Sequence, residues 1–253
     1  MTTTITATPQ PATASVLLEV TDDTTPAAFS LLRSDVTGIR PVRLYPLQDL
    51  DSGSLIVTDY EAALTGPIIY TVATESASAS TTTTLDVDAD WLNVPVAPQH
   101  SEQLELVTGL TEASEAMSTA HKIIDREDTV LTLRPLRNRA GTLELWCSTY
   151  AKARAVRAVY NRGEVVLYRQ SAHPGLDMYH AATGKVSVEP AAEETTPRRW
   201  VVRVEFTEQR PPSAPLMGAL GWNYGADLER NPTYAASALE FPTYADRLIG
   251  PAE

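Results

Sequence analysis

Residues 65–72 read Thr-Gly-Pro-Ile-Ile-Tyr-Thr-Val. A Gly-Pro turn leads directly into a short run of β-branched and aromatic residues, which is typical of a β-strand. Between Ser15 and Trp91 this combination of turn and short run recurs about every ten to fifteen residues. Further turn signals are Thr37-Gly38 and Asp51-Ser52-Gly53. Short strands at this spacing predict a small β-sandwich.

The segment Leu85–Trp91 alternates strictly between apolar residues and aspartates. The period of two predicts a strand with its apolar side chains in the core and its three aspartates in solvent. A calcium-binding loop is the alternative interpretation, since the aspartates occupy positions 1, 3 and 5. That interpretation fails because Trp91 stands where glycine is needed and Ala97 stands where a glutamate is needed.

The flanking composition suggests four segments. Residues 1–14 are rich in Thr, Ala and Pro and predict a flexible arm, which is unstructured or docked on a partner. Residues 15–98 form the predicted sandwich. Pro95 and Pro98 predict a semi-rigid linker at its end. Residues 99–212 form a second domain, and residues 213–253 an extended C-terminal tail.

The second domain also has strand patterns, with one helix among them. Trp200–Phe206 alternates with Trp200, Val202, Val204 and Phe206 on one side. The alanine-rich stretch 149–161 predicts a helix with a Ser or Thr cap and Gly163 just past its end. Residues 129–133 predict a strand, whereas 111–124 have helical or loop character. The fold class is therefore mainly β: a β-sandwich plus a β-rich α+β domain with one helix.

The predicted tail contains an internal repeat. Pro232-Thr233-Tyr234-Ala235 returns ten residues later as Pro242-Thr243-Tyr244-Ala245. Aromatic side chains in Pro- and Ala-rich sequence suggest anchors that fill pockets on a neighbouring subunit. The predicted partner-docking residues are Trp222, Tyr224, Tyr234 and Tyr244. The alternative is a tail that packs on its own domain.

Charge is distributed unevenly along a chain whose net charge is −12. Residues 1–133 carry a net charge of −14, residues 134–210 carry +5, and residues 211–253 carry −3. This asymmetry favours contacts between subunits, with Arg134, Arg137 and Arg139 as the charged seam. Direct nucleic-acid binding is disfavoured because the arginines lack interleaved aromatic residues. No apolar run approaches the roughly 20 residues that span a bilayer, so we expect no membrane partner.

The sequence contains no strong candidate for an active site. No nucleophile elbow, phosphate-binding loop, zinc-protease motif or dinucleotide fingerprint is present in the sequence. His173, Asp177 and His180 supply three conceivable metal ligands, but Pro174-Gly175 between them favours an ordinary loop or hairpin. Cys147, the single cysteine, falls on the apolar side of a strand. We therefore expect no catalytic residue, metal or cofactor.

Several stretches resemble minor tail or distal tail proteins of actinobacterial siphophages. Asp59–Val72 is similar to the late strands of their fibronectin-type-III-like module, and Trp91–Pro98 resembles the Trp-Leu…Pro junction after it. Arg139–Leu145, the alanine-rich helix, Gly163–Leu167 and Arg198–Val202 follow in the order seen in those proteins. The closing Pro-Thr-Tyr-Ala-Asp repeat resembles their C-terminal tails. The resemblance covers roughly residues 55–250.

The resemblance implies a virion structural protein of the tail tip, made in the bacterial host cytoplasm. Such proteins form rings of six or three copies around the tail tube or hub, without enzymatic chemistry. The alternative from another class is a carbohydrate- or receptor-binding module of the tail, with the loop at 173–180 as its binding region. A third hypothesis is an enzyme of unrecognised type, whose first sign would be a metal bound by His173, Asp177 and His180.

Overall fold

The structure is a computed structural model. It describes residues 2–24, 26, 28–46, 48, 50, 53–75, 77–122, 124, 127–191, 198–217 and 233. The described residues contain sixteen strands and one α-helix, so the prediction of a mainly β fold with a single helix is confirmed. None of the helices in these ranges has the length and apolarity needed to cross a bilayer.

The strands divide between two domains. The first domain contains β1 (Thr3–Gln10), β2 (Ser15–Asp22), β3 (Phe29–Asp35), β4 (Gly38–Pro41), β5 (Ser54–Asp59), β6 (Pro67–Thr74) and β7 (Ser78–Thr84). The second domain contains β8 (Trp91–Asn93), β9 (Glu102–Gln103), β10 (Leu106–Ala113), β11 (Thr119–His121), β12 (Val130–Thr132), β13 (Ala140–Cys147), α1 (Tyr150–Tyr160), β14 (Val166–Arg169), β15 (Met178–Pro190) and β16 (Trp200–Glu208).

The first domain consists of two antiparallel sheets around one core. The sheets have the strand orders β1-β2-β5 and β4-β3-β6-β7. Alternate residues of β2 and β6, such as Leu18 and Tyr70, enter the shared core and are fully buried. This is the β-sandwich architecture that immunoglobulin and fibronectin type III domains share.

A buried ion pair lies inside the sandwich. Arg33 Nη1 donates to both carboxylate oxygens of Asp59 at 2.8–2.9 Å, and Tyr70 Oη donates to Asp59 at 3.0 Å. Burial favours the neutral carboxyl, but the Arg33 guanidinium outweighs this and keeps the pKa of Asp59 below its ordinary value. Because removing one partner leaves a buried charge, this pair constrains how β3 and β5 pack.

The second domain is a seven-stranded antiparallel sheet with α1 on one face. Its strand order is β10-β13-β16-β15-β14-β8-β9. The predicted helix is confirmed: Thr149 caps it by accepting from Lys152 N at 3.1 Å, and Gly163 follows it at φ +69°. Val156 and Val159 of α1 meet Val202 and Val204 of β16 in the second core.

The two domains meet within strand β8. Trp91 belongs to the core of the first domain, and Leu92 belongs to the core of the second. Consecutive residues of a strand point to opposite faces, so one short strand serves both cores. Val94 and Ala97, which lie in the stretch predicted as a linker around Pro95 and Pro98, also belong to the second core.

Three further sequence expectations need correction. The predicted flexible arm at 1–14 contains β1, which pairs with β2 from Thr3↔Asp22 to Gln10↔Ser15. Thr4, Thr6 and Thr8 are exposed while Thr3 and Ile5 are buried, so this polar segment forms an edge strand. Leu85 and Val87 are buried as predicted, but they precede β8 without forming a regular strand.

The stretch 111–124, expected to be helical or loop, contains the end of β10 and all of β11. The residues of β11 pair with those of β12, from Thr119↔Thr132 to His121↔Val130. Tertiary pairing therefore overrides the local helical preference.

Candidate functional site

A long hairpin projects from the edge of the seven-stranded sheet. Strands β10 and β13 pair as far as Ala113↔Ala140, and the chain between them continues as a two-stranded ladder. That ladder is formed by the Ala116↔Leu136 bridge and by the pairing of β11 with β12. We call residues 114–139 the arm. Every described residue of the arm is exposed except Met117 and Arg139, which are half-buried.

The base of the arm is tightly built. A Cβ placed on Gly141 would lie 1.8 Å from the backbone oxygen of Thr111, so β10 and β13 approach too closely there for any side chain. Further along the same strand, Leu143 and Leu145 are fully buried in the second core. The arm is therefore anchored at its base by a well-packed sheet. The described residues of the arm itself belong to neither core.

The arm exposes large apolar side chains. Leu131, Leu133 and Leu136 are 59%, 76% and 64% exposed, and Ile124 is 91% exposed. Isolated two-stranded hairpins are marginal in water, and contiguous exposed leucines are typical of interaction surfaces. The strand predicted at 129–133 did not indicate this exposure. A sequence signal for it exists, since three leucines lie within six residues of a segment, 129–139, that has no acidic side chain.

The predicted charged seam lies on this arm, although its members are not equivalent. Arg139 at the base donates to Glu208 at 3.0–3.1 Å and to Glu112 at 3.0 Å. Arg137 forms a 3.5 Å ion pair with Glu115, with both side chains exposed. In the described part of the chain, the guanidinium of Arg134 forms no ion pair. Arg139 therefore fastens the arm to its own sheet, whereas Arg134 is available to a neighbour.

The predicted docking residues Trp222, Tyr224, Tyr234 and Tyr244 lie outside the described residues. The segment leading to them is described as far as Met217, and we call residues 211–217 the strap. Leu216 is 1% exposed and belongs to the core of the first domain. Its amide donates to Leu44 O at 2.8 Å, and the Met217 amide donates to Val96 O at 2.7 Å. Leu216 therefore packs into the first domain from within the segment predicted as a C-terminal tail at 213–253.

A buried arginine joins the two domains. Arg169 at the end of β14 is fully buried and donates to Asn93 Oδ1, Ala62 O and Ala14 O at 2.7–2.8 Å. Burial lowers the pKa of Arg169 to about 10, so the side chain remains charged at neutral pH. Two of its acceptors are backbone carbonyls of the first domain, so this side chain fixes how the domains sit together.

The loop singled out as a possible metal site has a structural role at the same junction. Asp177 Oδ1 accepts from Gln170 N at 2.7 Å and closes the loop. His180 is fully buried, contacts Tyr160 Oη through Nε2 at 3.0 Å, and has its pKa lowered to about 4 by burial. Among the described residues, no group of three His, Cys, Asp or Glu side chains is arranged to hold a metal ion.

Asp177 gives the protein a pH-dependent stability. Burial raises its pKa to about 7, with Arg169 lowering it and Asp35 and Asp90 raising it. Because the folded state holds this proton more tightly than the unfolded chain, the stabilisation is complete below about pH 4 and is lost as the pH rises through 7.

Asp177→Asn keeps the acceptor oxygen and removes the ionisation. The free energy of unfolding of this variant, relative to the parent, is expected to rise by roughly 2 kcal/mol between pH 5 and pH 8. Urea titrations at the two pH values measure the difference. A difference that is constant with pH would contradict the assignment.

The remaining features of interest are a cavity and a thiol. A cavity of about 680 Å³ lies between the strap and residues 40–46. Arg40 lines it and lies over the Tyr179 ring at 5.2 Å, and the Tyr179 hydroxyl donates to Glu61 at 2.6 Å.

Cys147 is buried, as predicted, and burial raises its pKa to about 11, which keeps the thiol protonated.

Compared with known proteins, the chain matches no protein-family model and no curated sequence.

Proposed function

We propose that this protein is a structural component of a bacteriophage tail tip, acting as a distal or minor tail protein of the virion. It assembles with copies of itself into a ring of six or three around the tail tube or hub. Its work is mechanical and involves no catalysis, metal or cofactor. The proposal extends the likeness of Asp59–Val72 and the C-terminal repeat to siphophage tail proteins.

The observation that supports assembly is the arm. A protein that worked as a monomer would gain nothing from a projecting two-stranded hairpin with three leucines in water, because such a surface promotes association. The bulk of the chain is suited to a rigid subunit: the strap and Arg169 hold the two domains as one block. A rigid block with one projecting docking element is well suited to a closed symmetric assembly.

The arm can be removed cleanly to test this. Because Ala113 and Ala140 face each other across the ladder, an Asn-Gly turn can replace residues 114–139 and close the hairpin at its base. The full-length protein is expected to form a closed oligomer, and the armless variant a folded monomer. Light scattering gives the mass of each, and circular dichroism checks the fold.

A point variant gives the matched control. The test variant, Leu133→Asp, introduces a charge and removes one exposed leucine of the arm. The control, Thr119→Asp, introduces the same charge on the paired strand β11 and removes no leucine. Loss of the oligomer in the first variant alone supports the leucine surface. An armless protein with the mass of the full-length oligomer would overturn the role of the arm.

A carbohydrate- or receptor-binding module is the second candidate. The specific observation in its favour is the 680 Å³ cavity, to which Tyr179 contributes from the stretch where the sequence suggested a binding loop. Arg40 provides a donor group there that could orient a polar ligand. Binding of the isolated protein to a glycan array would favour this function, and Arg40→Ala should abolish that binding.

A further inference from the structure

The outer face of the four-stranded sandwich sheet carries no charge. Direct cross-strand pairing places Ile39, Ser34, Ile69 and Thr82 in one row across β4, β3, β6 and β7. Neighbouring rows have the same character. The outward residues are Ser30, Leu32, Ser34, Ile39, Pro41, Pro67, Ile69, Thr71, Ala73, Ser78, Ser80, Thr82 and Thr84. We call this surface the neutral face.

The neutral face is unusual for this protein. Residues 1–90 carry 12 acidic and three basic side chains, yet none of them lies among the outward residues of this sheet. Ile39, Ile69 and Leu32 are 72%, 42% and 38% exposed on it. Depletion of charged residues is the compositional mark of the centre of a protein interface. The face is therefore suited to contact with another protein.

The rim of the neutral face is acidic. Asp86 follows β7, where its carboxylate accepts from Thr84 Oγ1 at 3.1 Å, and Glu75 is exposed after β6 at the other end. The three arginines of this domain are engaged elsewhere. Arg33 is bound to Asp59 in the core, Arg43 to Glu61, and Arg40 lies on Tyr179. A partner for this surface should have an apolar centre flanked by positive charge.

The returning half of the arm has that chemistry. Residues 129–139 contain three leucines, three arginines and no acidic side chain. The leucines are exposed, so the chain's own neutral face does not cover them. We propose that the returning half of the arm docks on the neutral face of a neighbouring copy. Leu131, Leu133 and Leu136 then meet Ile39, Ile69 and Leu32, with Arg134 directed toward the acidic rim.

This inference rests on the proposed function and specifies its contact. Two different surfaces of each copy are used, so the contact is heterologous and propagates from copy to copy until a rotation closes it. An isologous dimer, in which the same face meets itself, is the competing arrangement. The two arrangements differ in which residues of neighbouring copies come together, and that difference can be measured directly.

Variants with one added cysteine make the measurement. Leu133→Cys and Ile69→Cys are prepared separately, one of them with a mass tag, then mixed, allowed to exchange and treated with a short bismaleimide. Native Cys147 is 1% exposed and provides little background, which the parent protein reports. We expect a tagged–untagged cross-link in the mixture and several-fold less product with either variant alone. Stronger cross-linking of Ile69→Cys or Leu133→Cys with itself would overturn the proposal.

A matched pair of charge variants gives an independent test that does not need cysteine. Ile69 on the neutral face and Ile56 on β5 of the other sheet are 42% and 38% exposed. Ile69→Lys brings a positive charge against the arginines of the arm and is expected to weaken association at least about tenfold. Ile56→Lys should leave association unchanged, and circular dichroism reports whether both variants fold.

The outcomes separate this inference from the proposed function. A full-length oligomer that gives no mixed cross-link and tolerates Ile69→Lys overturns the docking site but leaves the assembly proposal standing. A monomer at every concentration overturns both. An oligomer with the mixed cross-link and a specific Ile69→Lys defect supports both.

Discussion

Replacing Arg169 with methionine is expected to destabilise the entire chain by about 3 kcal/mol or more. The substitution leaves Asn93 Oδ1 and the carbonyls of Ala62 and Ala14 without their donors, and each buried unpaired acceptor costs about 1–3 kcal/mol. Relief of the buried charge offsets part of this cost, since burial already lowers the pKa of Arg169. Methionine matches the length of the lost stem, so the effect reports mainly the hydrogen bonds.

The matched control is Arg157→Met on the exposed side of α1, which should change the free energy of unfolding by less than about 0.5 kcal/mol. Urea unfolding followed by tryptophan fluorescence and by circular dichroism measures both variants. Arg169 lies between the domains, so its loss should also separate one transition into two. Equal stability of the two variants would contradict the role assigned to Arg169.

Removing the Leu216 side chain is expected to cost about 2–5 kcal/mol, the range for a large apolar residue truncated in a packed core. Leu216→Ala should therefore lower the melting temperature substantially, whereas Met217→Ala, at a 47% exposed position, should have a small effect. The reason is that Leu216 is the only described residue after β16 that enters the core of the first domain.

Two truncations test the same contact in another way. A chain ending at residue 217 keeps Leu216 in place, and one ending at residue 212 loses it. Differential scanning calorimetry should find the longer chain close to full length in stability and the shorter chain destabilised by about as much as Leu216→Ala. If both truncations melt alike, Leu216 does not contribute the packing described above. The longer truncation is also the suitable form for testing whether the tail tyrosines promote assembly.

Much of the fold is predictable from the sequence because strand periodicity is a local signal. The alternation in Trp200–Phe206 and the β-branched run before Val72 predict strands whose inward residues are the buried ones. The helix at 149–161 is equally local, since its cap, its alanines and Gly163 all lie within fifteen residues. Elements whose own residues specify their structure were predicted with near-correct bounds.

The remaining features depend on partners far along the chain. β1 has the Thr- and Ala-rich composition of a flexible terminal segment. It forms a strand because it pairs with β2, where Ile5 lies opposite Val20. Nothing near Leu216 indicates that it packs some 170 residues away beside Leu44. Arg169 is one of 20 basic residues, and only the fold singles it out. The exposure of the arm is not predictable from strand periodicity alone, because a projecting hairpin and a buried hairpin have the same pattern of strand residues.

The adjacency of Trp91 and Leu92 has a consequence for anyone who re-engineers this chain. Because side chains alternate along a strand, Trp91 enters the first core and Leu92 the second. No residue separates the two cores at this joint. One residue inserted between Trp91 and Leu92 would exchange the inward and outward sides of the residues that follow within β8, whereas inserting two would restore them. A cut at this joint would divide a strand that contributes one residue to each core.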